Sequence, residues 1–174
     1  MTKSSTKKLV FTGLCIAIGL LLPQVVKLIP IPNAGSVLLP MHIPVLICGI
    51  VCGARFGAIS GLILPFITFL LTGMPPLFPI GLSMMLELAT YGLVIGLAYQ
   101  YTNGKIFISL IISMILGRII YGLASTVLYN MGSIPFGFEA FISGALIVAL
   151  PGIIIQLILI PFIVRPLTRL ITTA

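Results

Sequence analysis

The chain contains no aspartate, no tryptophan, one histidine and only two glutamates, and charged residues make up 6% of its 174 positions. Soluble domains carry roughly a quarter charged residues, so this chain cannot present an ordinary wetted surface. Without aspartate, the Asp-based metal sites of lipid-synthesising membrane enzymes are excluded. A single histidine, His42, cannot supply a paired-histidine metal site. No Gly-x-x-x-x-Gly-Lys-[Ser/Thr] phosphate loop occurs, so ATP-driven work by that route would need a partner. Three cysteines are present, all within apolar segments: Cys15, Cys48 and Cys52. Cys48 and Cys52 stand one helical turn apart and could clip a metal, but small packing residues are the better reading, and no metal or cofactor is expected.

What is there is apolar. Hydrophobic residues make up 60% of the chain. A membrane span takes about 20 mainly apolar residues, so six spans would use roughly 120 to 130 residues and leave only short loops. The expected fold is an all-α integral membrane protein, one transmembrane domain over 1–174. Its helices are predicted near 8–28, 38–54, 55–73, 78–101, 105–130 and 143–168. Proline and glycine clusters punctuate them at 29–35, 73–76 and 132–137. The first apolar run, Leu9 to Leu22, lacks a cleavage site of the Ala-x-Ala type and is expected to stay as the first helix.

Charge sets the expected orientation. With the N-terminus in the cytoplasm, Lys3, Lys7, Lys8, Arg55, Lys105, Arg165 and Arg169 all lie inside, seven of the nine basic residues. Lys27 alone falls outside, and Arg118 lies within a span. The positive-inside rule therefore predicts both termini in the cytoplasm. The net charge of +7 is dispersed singly between apolar blocks and forms no nucleic-acid stripe. In this topology the proline-glycine loops face outward over terse inner turns, which suggests a pocket opening to the outside.

Two ionisable residues fall inside predicted spans, Glu87 and Arg118. Counted from the outer helix ends, they lie about 14 and 18 Å deep. Intramembrane charges face the bundle interior, a partner charge or a wet cavity. Two readings stand side by side: Arg118 meets an anionic ligand while Glu87 accepts hydrogen bonds, or the two form an ion pair that clips their helices. Tyr121, three residues on, shares a face with Arg118, and Tyr129 and Asn130 follow near the outer end. Arginine, tyrosine and asparagine together suit a small polar, carboxylated ligand; tyrosines near helix ends also act as interface anchors. His42 opens the second helix as either a structural group or a ligand contact. Glu139 reads as a solvated loop charge. Asn33 and the 74–79 loop could form a lid.

Gly13 and Ala17 on the first helix put small residues at the spacing that lets another helix approach closely in lipid. Gly49 with Gly53, and Gly57 with Gly61, repeat the pattern and suit packing inside the bundle.

Several of these features occur together in one family. The size, the six-helix layout, the small-x-x-x-small pattern at Gly13 and Ala17, His42-Ile43-Pro44-Val45, the 73–79 segment, Glu87-Leu88-Ala89-Thr90-Tyr91-Gly92 and Gly117-Arg118 make the chain resemble the substrate-binding subunits, or S components, of energy-coupling factor (ECF) vitamin transporters, and among them a pantothenate-type subgroup. The resemblance spans nearly the whole chain. It implies a multi-pass protein of a prokaryotic plasma membrane that captures a small vitamin on the outer face with high affinity. It also implies association with a transmembrane coupling subunit and two cytosolic ATPases, and toppling in the membrane to deliver the ligand. The family's Ala-x-x-x-Ala docking motif would map to Gly13 and Ala17, with glycine replacing the first alanine. Arg118 would pair with the vitamin's carboxylate; Glu87, Tyr121 and Asn130 would serve hydroxyls and amide. Two other classes remain: a self-sufficient ion-coupled carrier of a small anion, for which no internal repeat is evident, and a membrane-embedded enzyme using His42 with Ser60, Ser83 or Ser125, for which no motif is evident.

Overall fold

The computed structural model describes residues 3–30, 32–132 and 148–173. Among these, every regular element is helical. We number them α1 (Lys3–Val26), α2 (Ala34–Leu38), α3 (His42–Cys52), α4 (Ala54–Thr72), α5 (Leu82–Tyr101), α6 (Ile106–Met131) and α7 (Leu150–Thr173), with one π-helical turn at Leu77–Gly81 before α5. Six segments are long and apolar enough to cross a bilayer: Ser5–Val26, Ala34–Cys52, Ala54–Thr72, Leu77–Tyr101, Ile106–Met131 and Leu150–Leu167. The chain is an all-α membrane protein, with six spans among the described residues. Glu139, the 133–137 part of the last proline-glycine cluster and the expected helix start near 143 lie outside the described residues.

The second span differs from the continuous helix predicted over 38–54. It is broken into α2 and α3 at Leu39-Pro40-Met41, where Leu39 adopts φ +49°. Pro40 has no backbone N–H to continue the helix, so the backbone turns there and His42 begins a new helix. The first span also starts earlier than predicted, at Lys3, because the basic segment before Leu9 is helical too. The fourth begins its regular α-helix at Leu82 rather than 78, the π-turn occupying the difference.

Glycine brings the central helices together. A single residue, Gly53 at φ +97°, reverses the chain between α3 and α4, a conformation that side-chain-bearing residues rarely reach. The two helices it joins then pack on α5 almost backbone to backbone. A Cβ on Gly92 would fall on the Gly57 carbonyl, one on Gly61 on the Leu88 carbonyl, and one on Gly96 on Ala54. In lipid, where hydrophobicity does not drive helices together, such close packing and its dispersion contacts hold the bundle. Around this seam lies a core of Leu46, Tyr91, Ile95, Leu110 and Ile160.

α1 buries one stripe only, Thr12, Cys15, Gly19 and Pro23, at helical spacing. Gly19 meets the Leu64 side chain of α4. Cys15 packs with Cys48 and Cys52, and the Cys48 thiol points at Thr12 Oγ1 at 3.5 Å. The thiols fill space as small side chains, and among the described residues no group of His, Cys, Asp or Glu is arranged to hold a metal. The other face of α1 is exposed: Val10, Gly13, Leu14, Ala17, Ile18 and Leu21.

Candidate functional site

At the end of the bundle away from Lys8 lies a cavity of about 690 Å³, within the range of small-molecule sites. Its wall is assembled from five regions: the end of α1 and the residues just after it (Pro23, Gln24, Lys27), the 33–42 segment, Thr68 of α4 with Met74 and Pro75, the π-turn and start of α5 (Ile80, Met84, Glu87), and Arg118 and Tyr121 of α6. Among the described residues, Ile29 and, just before α7, Val148 and Ala149 also line it. The break at Leu39-Pro40-Met41 gives the cavity part of its shape, because it turns α2 aside and leaves His42 at the head of α3.

Three buried ionisable side chains meet at this wall. Glu87 Oε1 stands 3.0 Å from Arg118 Nη1 and 3.6 Å from His42 Nε2. Glu87 and His42 are each 2% exposed and Arg118 8%. The Glu87 and Arg118 charges cancel at close range, which is what makes both tolerable at this depth. The approach is one of charges rather than an aligned hydrogen bond, since Glu87 Oε1 and both His42 ring nitrogens lack a hydrogen-bond partner among the described residues. The same holds for Arg118 Nε and Nη2. These two nitrogens form one edge of the guanidinium, the edge that can grip a carboxylate with two parallel hydrogen bonds. Glu87 therefore holds Arg118 by Nη1, while the side-on fork is unpaired among the described residues and itself buried, with almost no accessible surface.

Tyr91 sets the back of this cluster. It is 1% exposed, and its ring meets the His42 ring edge-on with centroids 5.2 Å apart. Tyr91 in turn lies against Gly117, where a Cβ would come within 2.6 Å of the ring. The glycine beside Arg118 makes room for the tyrosine that positions His42.

Of the residues singled out in the sequence, Arg118, Glu87, Tyr121, His42 and Asn33 come together at one cavity. Asn130 does not join them. It is exposed on α6 and its amide nitrogen donates to the Thr126 carbonyl at 2.8 Å, so the side chain closes back on its own helix. Tyr129 is half-buried one residue earlier. Gln24, Lys27, Thr68, Met84 and Tyr91 were not foreseen. Lys27 carried a signal, as the one basic residue on the side that the charge bias leaves poor in them, and Tyr91 stood within the Glu87–Gly92 motif without a role.

A family model described as "ECF transporter, substrate-specific component" matches residues 7–164. The chain belongs to that family. It is a substrate-specific, solute-binding subunit of an ECF transporter. No curated protein and no solved structure matches the chain.

Proposed function

We propose that this S component captures a small monoanionic vitamin, pantothenate, from the outer face of the plasma membrane and delivers it inward together with a coupling subunit and two ATPases. The observation that carries the reading is Arg118 among the residues of the cavity wall, with its Nε–Nη2 edge buried and without a hydrogen-bond partner among the described residues. Pantothenate brings one carboxylate, two hydroxyls and an amide. Its carboxylate matches that edge, while Glu87, His42, Tyr121 and Asn33 offer acceptors and donors to the rest. Apolar wall residues such as Met41, Met84 and Ile80 suit its dimethyl carbon. The outward direction rests on the positive-inside bias, which places Lys8, Arg55 and Lys105 at the opposite end.

A thermal-shift panel of vitamins on the purified chain tests this. Pantothenate at 100 times its dissociation constant is expected to stabilise the protein by about 2.7 kcal/mol. A shift with a neutral vitamin and none with pantothenate would overturn the assignment. Uptake by the chain alone in liposomes would favour the ion-coupled carrier instead.

For the coupling step we propose the exposed face of α1, with Gly13 and Ala17 at its centre. A Cβ on Gly13 would meet nothing within 4 Å, so bulk added there is free of the fold. Gly13→Leu combined with Ala17→Leu is expected to change thermal stability by less than about 0.5 kcal/mol. The same pair is expected to weaken co-purification of the coupling subunit roughly tenfold, since close helix approach needs small residues. Undiminished co-purification would remove α1 from the interface.

A further inference from the structure

The cavity wall carries two cations and one anion among its described residues: Lys27, Arg118 and Glu87. Glu87 and Arg118 stand 3.0 Å apart and cancel, so this pair alone attracts a neutral polar solute and an anion about equally at a distance. Lys27 is different. It follows directly on α1, its ammonium donates to the neutral Gln24 Oε1 at 3.3 Å, and among the described residues it has no carboxylate partner. Its place is also one that topology does not explain, since the charge bias favours lysine at the other end of the spans. Among the described residues, the excess positive charge of the cavity therefore resides on Lys27, at its exposed edge.

We propose that Lys27 is the specificity-determining residue that makes this site prefer an anionic solute over the neutral form of the same solute. Arg118 grips the carboxylate by geometry, and Lys27 supplies the unbalanced field that draws an anion into the low-dielectric cavity. The inference rests on the function proposed above.

The test compares equilibrium binding of pantothenate and its alcohol, in which –CH2OH replaces the carboxylate, at low and high salt. Lys27→Gln is expected to weaken pantothenate roughly fivefold at low salt and the alcohol less than twofold, with the difference shrinking as salt rises. Lys27→Arg is expected to restore the preference. Lys105→Gln removes the same charge from the far end of the bundle, between α5 and α6, and is expected to leave the ratio as in the wild type. An acid-to-alcohol ratio unchanged in Lys27→Gln, or changed equally by Lys105→Gln, overturns the role of Lys27 while leaving pantothenate binding intact. A wild-type protein that binds neither compound overturns the function proposed above, and this inference with it.

Discussion

Replacing Arg118 with alanine is expected to weaken pantothenate by about 2 to 5 kcal/mol, roughly thirtyfold to several thousandfold. The substitution removes the only buried arginine among the described residues and with it the paired Nε and Nη2 donors. It also strands Glu87, leaving a buried carboxylate with no cationic partner except His42 at 3.6 Å among the described residues, if that ring is protonated. That second effect lowers stability whether or not ligand binds. The double variant Arg118→Ala with Glu87→Gln separates the two, because it removes the stranded charge. Stability is expected to recover in the double variant, and affinity is not. Arg118→Lys keeps the charge and loses the planar fork, so it is expected to recover only part of the binding. Equilibrium titration with each variant checks the series. Wild-type affinity in Arg118→Ala would show that the Glu87–Arg118 pair only clips α5 to α6.

The other large effect lies in the glycine seam. Gly92→Val is expected to destabilise the protein by about 3 kcal/mol or more, at the upper end of overpacking costs. Gly92 has backbone on its far side, the Gly57 carbonyl, and backbone cannot rotate away as a side chain can. Relief requires α4 and α5 to part, which opens the contacts around Leu64 and Leu88. Gly13→Val provides the contrast: it adds the same atoms to open space on α1. Thermal unfolding in detergent should show a large loss for the first and almost none for the second. Equal, small losses would mean that the helices of the central seam stand further apart.

How far the sequence shows this protein depends on which force decides each feature. The six spans were legible because hydropathy over a bilayer-length window is a strong and local signal. The depth of Glu87 and Arg118 could be counted from helix ends, and the cost of burying either alone left two readings open, of which the ion pair is what the packing forms. The break before His42 was less visible: Pro40 marks it, yet the apolar run continues across it, and hydropathy averages it away. The helical start at Lys3 escaped for the opposite reason, since a helix can extend beyond its apolar stretch. Asn130 looked like part of the Arg118 face by position along α6, but its amide finds a nearer acceptor, the Thr126 carbonyl four residues back. Gln24 carries no charge anomaly and follows no recognisable pattern, and Tyr91 stands out only as part of the Glu87–Gly92 motif, so the packing of α3 on α5 and the end of α1 beside the 33–42 segment are what bring them to the site. Gly13, Cys15, Ala17 and Gly19 formed a single cluster of small residues in the sequence. Packing divides them, turning Cys15 and Gly19 inward and leaving Gly13 and Ala17 exposed.

The most direct test is calorimetric titration of the purified chain, with no coupling subunit or ATPase present, against pantothenate. Saturable binding at one molecule per chain, with wild-type affinity lost in Arg118→Ala, is the predicted result. A folded chain that takes up no pantothenate, or that takes it up equally well without Arg118, would contradict the assignment of this cavity.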